Sequence, residues 1–128
     1  MTYRDKFISK IRKSLEAETV AYRRMEKAED FLNDYFGELT DDLFEESMAD
    51  PEQFEIDYYL VRYHDIELSI EFSSDTVDVF LKNEPEGEKN IFDRLTVDGY
   101  SYKSQKYGLE LSAELMDQYL KTAFEKIL

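Results

Sequence analysis

Six carboxylates alternate with apolar residues in the middle of the chain, at the spacing that places side chains on one face of a β-sheet. They are Glu55, Asp57, Asp65, Glu67, Glu71 and Asp78. Opposed side chains on antiparallel neighbours lie about 4.5–5.5 Å apart, so like charges there destabilise a sheet. A carboxylate array of this kind therefore indicates a surface for a basic partner. Rows of carboxylates can also imitate the phosphates of a nucleic acid.

The distribution of charge supports the same interpretation. The formal net charge is −14, and residues 28–81 carry seventeen acidic residues and one basic residue, Arg62. The alternation assigns Arg62 to the apolar side at a strand end, so we expect no cation within the carboxylate array. A surface of one sign governs association more than folding.

The other residues capable of chemistry give no reaction. His64, the sole histidine, lies at a predicted turn, and there is no cysteine and no glycine-rich phosphate loop. The carboxylates Asp41, Asp42, Glu45 and Glu46 lack the spacing of a calcium-binding loop. We therefore predict no catalytic residue, no metal site and no cofactor. Tyr59 and Tyr63 fall on exposed positions of the strand pattern and suit a protein interface.

The first segment predicts a long amphipathic helix from the N-cap Thr2 to a stop at Gly37. Its heptad-like apolar seam forms a candidate dimer or client-binding surface, comprising Ile8, Ile11, Leu15, Tyr22 and Met25. Either the helix bends near residues 16–19, or part of this seam meets another chain. The basic side chains of the helix either neutralise the acidic middle of this chain or of a second subunit, or grip an acidic partner; they are Lys6, Lys10, Lys13, Arg23, Arg24 and Lys27.

The remaining elements predict an α+β fold in a single domain, residues 1–128. A short second helix is expected over 41–49, with Thr40 as its N-cap. Period-two alternation gives strands over 54–61, 66–72 and 77–81. Residues 91–108 are either a hairpin turning at Asp98-Gly99 or begin with a helical turn, so the antiparallel meander has three to five strands. An amphipathic helix capped by Ser112 ends the chain.

Composition limits the functional classes. The chain is 42% hydrophobic and 15% aromatic, which is incompatible with disorder. No apolar run approaches the ~20 residues of a membrane span, and no secretory signal is evident, so we expect a cytoplasmic protein without membrane contact. The acidic surface argues against direct binding of nucleic acid.

These observations predict a non-enzymatic acidic binding protein. The first hypothesis is an inhibitor that occupies the basic groove of a nucleic-acid-binding protein, as phage counter-defence inhibitors of the DNA-mimic, anti-CRISPR-like type do. The alternative is an immunity protein, an antitoxin or an acidic secretion chaperone that binds a toxin or secreted client, with the helix seam holding the client or a second copy of the chain. The acidic middle favours the first hypothesis, because a chaperone needs apolar grooves more than charge of one sign.

Overall fold

The computed structural model describes residues 2–44, 54–73, 75–83 and 88–128. It consists of one long helix, a six-stranded antiparallel sheet and a C-terminal helix, which confirms the predicted α+β class. The elements are α1 (Tyr3–Phe44), β1 (Phe54–Asp57), β2 (Leu60–Tyr63), β3 (Ile66–Phe72), β4 (Thr76–Lys82), β5 (Asn90–Asp98), β6 (Ser101–Ser104) and α2 (Ala113–Phe124), with a final 3₁₀ turn at Glu125–Ile127.

Helix α1 is longer than the sequence pattern indicates. It begins as predicted, because the Thr2 hydroxyl accepts from the Asp5 amide at 3.3 Å. It does not stop at Gly37, and it is continuous through residues 16–19. Thr40 does not cap a new helix, since its hydroxyl donates to the Phe36 carbonyl at 2.7 Å within α1. Residues 41–44 are therefore helical as predicted, but they belong to α1 and not to a second helix, and residues 45–49 of the predicted helix lie outside the described residues.

The strand predicted over 54–61 is two strands. Asp57 pairs with Leu60, and the two tyrosines between them, Tyr58 and Tyr59, form the turn that joins β1 to β2. Both arms of this hairpin keep period-two alternation, which is why the pattern resembles one uninterrupted strand. The predictions for β3 and β4 are confirmed.

The ambiguous region 91–108 forms the hairpin β5–β6. Asp98 pairs with Ser101, so the turn residues are Gly99 and Tyr100, one residue later than predicted. Gly99 has a φ of +61°, a conformation that glycine adopts at no steric cost. Each strand pairs with its neighbours in the chain, in the order β1-β2-β3-β4-β5-β6.

Both helices pack on one face of this sheet. The buried cluster joins Leu32 and Phe36 of α1 to Leu115 and Tyr119 of α2 and to the inner side chains of the strands. Those inner side chains are Val61, Leu68, Ile70, Val77, Val79, Leu95 and Tyr102. The opposite face of the sheet, here called the outer face, is the one that sequence alternation assigns to solvent.

One carboxylate is buried within this core. Asp93 is 4% exposed and accepts four hydrogen bonds. The Arg94 and Lys106 amides donate to Oδ1 at 2.8 and 3.0 Å. The Ser104 and Tyr119 hydroxyls donate to Oδ2, the latter at 2.5 Å. A buried carboxylate is tolerated when its acceptor sites are satisfied, so this network ties β5, the segment after β6 and α2 together.

The uninterrupted course of α1 can be tested at Gly37. An added Cβ at this position meets no atom within 4 Å. Because glycine destabilises a helix interior relative to alanine, we expect Gly37→Ala to raise the free energy of unfolding by about 0.5–1 kcal/mol in urea titration. Gly99→Ala is the control and should lower it, owing to the positive φ. A destabilised Gly37→Ala variant would contradict a continuous helix.

The Asp93 network predicts a pH dependence of stability. Burial, followed by the hydrogen bond to Asp93, raises the pKa of Tyr119 well above the ordinary 10.0. As the pH rises, the unfolded chain therefore loses this proton before the folded chain does. The stabilisation that the Tyr119 hydroxyl gives the folded state is complete below pH 10 and declines as the pH rises further. Tyr119→Phe should lower the free energy of unfolding by about 1–3 kcal/mol at neutral pH, and it should remove part of the decrease in that free energy at alkaline pH.

Tyr107→Phe is the matched control for that experiment, since its hydroxyl contacts Thr122 at 2.9 Å on the surface. Urea titrations at pH 7 and pH 10.5–11 compare the variants. An alkaline loss that is equal in Tyr119→Phe and the parent protein would refute the assignment.

Candidate acidic interface

The outer face of the sheet carries charges of both signs. Three ion pairs join Glu55 to Arg62 at 3.3 Å, Glu71 to Lys89 at 2.5 Å and Asp78 to Arg94 at 2.8 Å. The expectation that no cation enters the array is therefore wrong. Arg62 lies on the outer face, directly opposite Glu55 and Glu67, and not on the apolar side. The sequence pattern missed the other cations because they come from outside residues 28–81.

Glu67 completes this pattern. It lies opposite Arg62 on β2 and opposite Lys82 on β4. Glu71 and Asp78 oppose each other, as predicted for an array, yet each has its own cation. The sheet therefore brings five of the six predicted carboxylates to its outer face, and basic side chains lie beside four of them (Glu55, Glu67, Glu71 and Asp78).

The other predicted interface residues lie away from the outer face or at its margin. Asp57 lies at the end of β1, at the margin of the outer face, where it accepts from the Tyr58 amide at 2.8 Å, and Asp65 lies in the β2–β3 turn. Tyr59 and Tyr63 are half-buried on the helix side, so the exposed positions predicted for them are wrong. The Tyr59 ring packs 5.8 Å from the ring of Phe36.

A run of carboxylates that no basic residue interrupts in the sequence lies on α1. Residues 29–42, here called the acidic segment, contain six acidic residues and no Lys or Arg. They are Glu29, Asp30, Asp34, Glu38, Asp41 and Asp42, all exposed except the half-buried Glu29. At about 100° per residue, Asp30, Asp34, Glu38 and Asp41 lie on the side opposite the buried Leu32.

This arrangement works against the stability of the helix itself. Like charges four residues apart, as at Asp30, Asp34 and Glu38, destabilise a helix by about 0.2–0.5 kcal/mol per pair. Asp41 and Asp42 lie near the C-terminal end, where the helix dipole favours cations, and the last turn holds no basic residue. The acidic segment is thus tolerated only because its opposite side is fixed in the core. Its signal in the sequence was the repeat of acidic residues every four positions.

The Tyr58–Tyr59 turn borders the acidic segment. The Tyr59 hydroxyl donates to the Asn33 side chain of α1 at 2.9 Å. Burial, and then the nearby charges of Glu29 and Asp30, raise the pKa of Tyr59. Tyr58 is 68% exposed and stands next to Tyr59. An exposed aromatic ring therefore flanks the carboxylates.

The first half of α1 projects from the body of the protein. Residues 3–23, here called the arm, include no buried side chain, and the predicted seam residues Ile11, Leu15 and Tyr22 are 44%, 55% and 68% exposed. Ile8 is half-buried, and Met25 is 38% exposed.

The predicted neutralisation of the acidic middle by this helix does not occur within the described residues. None of the basic side chains of α1 forms an ion pair there, including Lys6, Lys10, Lys13, Arg23 and Lys27. Arg24 instead donates to the Gly99 carbonyl at 3.0 Å and lies over the Tyr102 ring. Arg24 therefore fixes the tip of the β5–β6 hairpin to α1 directly after the last residue of the arm.

The described part of the chain contains no cluster of His, Cys, Asp and Glu arranged to hold a metal ion. A cavity of about 390 Å³ lies between the end of α1, β1–β2 and α2, and its lining is aliphatic and aromatic, including Leu39, Val61 and Phe124. Within the described ranges, no helix is long and apolar enough to cross a bilayer.

A comparison of the chain with protein-family models, curated proteins and solved structures finds no match.

Proposed function

We propose that this protein is a non-enzymatic inhibitor that binds the basic, nucleic-acid-binding groove of another protein. The observation that carries the proposal is the acidic segment of α1, in which carboxylates line the solvent side of a helix with no intervening cation. The ion-paired outer face of the sheet contributes less, because its cations already screen the carboxylates from a partner.

The spacing of charge on the acidic segment supports mimicry of a nucleic acid. Residues 29–42 span about 20 Å of helix axis. Six carboxylates over that length give about one charge per 3.3 Å, close to the 3.4 Å per charge along one strand of B-DNA. A groove that accepts a phosphate backbone therefore meets a comparable density of negative charge, and Tyr58 adds aromatic contact area beside it.

A second candidate function is an immunity protein or a secretion chaperone that holds its client through the arm. The observation that favours it is the apolar seam, exemplified by Leu15 and Tyr22, which no other part of the described chain covers. Apolar binding of this kind resists salt, whereas binding through the acidic segment weakens with it.

Charge reversal distinguishes these surfaces. The tagged protein captures partners from a native lysate, and the bound proteins are released by a salt step or by added duplex DNA and identified by mass spectrometry. We expect nucleic-acid-binding proteins in both eluates. The double variant Asp34→Lys/Glu38→Lys should reduce their recovery at least about tenfold, since it reverses two exposed charges at the centre of the contact.

The matched control is Glu67→Lys/Glu71→Lys, which changes the net charge equally on the outer face of the sheet. It should retain most of the binding. Circular dichroism checks that both variants are folded. Partners that stay bound through DNA and high salt, or that the helix variant captures as well as the parent protein does, would contradict the proposal.

A further inference from the structure

The arm needs a partner that the described chain does not supply. The arm continues a helix that the core already fixes, but it lacks the packing of an apolar face that supplies most of the stability of helices in proteins. The first hydrogen bond from an α1 side chain to the body of the protein is that of Arg24 to Gly99, after the whole arm. Tyr3, Phe7, Ile11, Leu15 and Tyr22 are all more than 40% exposed.

The order of residues in the seam indicates how such a partner lies. The five seam residues and the acidic Glu18 between them recur at spacings of three and four. In order, these positions are Ile8, Ile11, Leu15, Glu18, Tyr22 and Met25. In a parallel pair of identical helices, Glu18 would face Glu18 of the second copy, and a repeated buried like charge is strongly disfavoured. In an antiparallel pair, each layer joins two different seam positions.

We propose that the arms of two copies of this chain pack as an antiparallel helical pair. The layers are Ile8 against Met25 of the second copy, Ile11 against Tyr22, and Leu15 against Glu18. Glu18 then lies one helical turn from Arg12 of the second copy, within the reach of two long side chains. The pair uses all five seam residues and Glu18. It places Glu18 opposite Leu15, with both Arg12 and Glu18 of the second copy about one helical turn away.

Charge complementarity at the ends of the pair supports a second copy as the occupant. In this register Arg4 lies opposite Glu29 of the second copy, and the basic start of one arm meets the acidic start of the other body. The arm carries six basic and three acidic residues, whereas residues 29–42 carry six acidic residues and no basic one. Arg4 and Glu29 belong to none of the three ion pairs among the described residues, so both are available.

The body of the protein leaves room for this arrangement. The second helix reaches residues 29–30 of the first, one turn before Asn33, where the Tyr59 hydroxyl docks on α1. The exposed carboxylates Asp34, Glu38 and Asp41 lie beyond that point. The pairing therefore leaves the surface proposed for the basic partner free, and a dimer presents two such surfaces.

The first test is sedimentation equilibrium of the purified full-length protein. We expect a dimer, and we expect Leu15→Asp to weaken self-association at least about 100-fold, since both copies lose a buried leucine. The control is Ser9→Asp, which adds the same charge to the other side of the same helix and should leave the dimer intact. A monomeric parent protein, or equal effects of the two variants, overturns the proposal.

Directed cross-linking tests the orientation. Because the chain has no cysteine, single variants Ile8→Cys and Met25→Cys report only on the introduced sites. When the two are mixed and oxidised, the antiparallel register predicts a disulfide between the different variants as the main product. A predominance of Ile8→Cys chains joined to each other would establish a parallel pair and overturn the proposed register.

Discussion

The length of α1 relative to the sheet is the constraint on which the rest of the surface depends. Its 42 residues span about 63 Å, whereas six strands side by side cover about 24 Å. A helix of that length cannot bury its whole apolar stripe on such a sheet. The segment around Leu32 and Phe36 enters the core, and the seam that continues the same stripe toward the N-terminus stays in solvent. The protein therefore has a body and an arm.

The two parts of α1 have opposite charge for related reasons. Where the helix packs on the sheet, its outer side can carry repulsive carboxylates because the core fixes the backbone. The core does not support the arm in this way. The arm carries basic residues, whereas acidic residues in their place would add to the repulsion among the carboxylates of the body. On the outer face of the sheet, Arg62 and Arg94 divide the carboxylates into local pairs. The acidic segment is therefore the described part of the chain where six carboxylates follow one another with no basic residue between them.

Local patterns predicted those elements that depend on local physics. The Thr2 and Ser112 caps, β3, β4 and the glycine turn after Asp98 were each evident from a few adjacent residues. Gly37 failed as a helix stop because packing of Leu32 and Phe36 outweighs a cost of about 1 kcal/mol. The Tyr58–Tyr59 turn was hidden because tyrosine is a strand former without a turn signature.

The errors at the candidate site have a different cause. Which cation approaches which carboxylate depends on strand register, and Lys82, Lys89 and Arg94 reach the outer face only when β4 and β5 are paired. Asp93 was not recognised in the sequence, although the alternation of β5 places it on the same inner face as Leu95, where it meets Tyr119. The carboxylates of the acidic segment could have been recognised from their four-residue repeat alone, since helical periodicity needs no tertiary information.

The strand order also has a consequence for the way the chain reaches its native state. Because every strand pairs with the strand before and after it, each step of sheet formation closes a short loop at a small cost in entropy. Contacts between residues close in sequence are typical of domains that fold quickly. Contacts of α1 with β6, at the far end of the sheet, join segments that lie especially far apart in the sequence. Docking of α1 on the sheet, and not formation of the meander, therefore accounts for most of the entropic cost of loop closure.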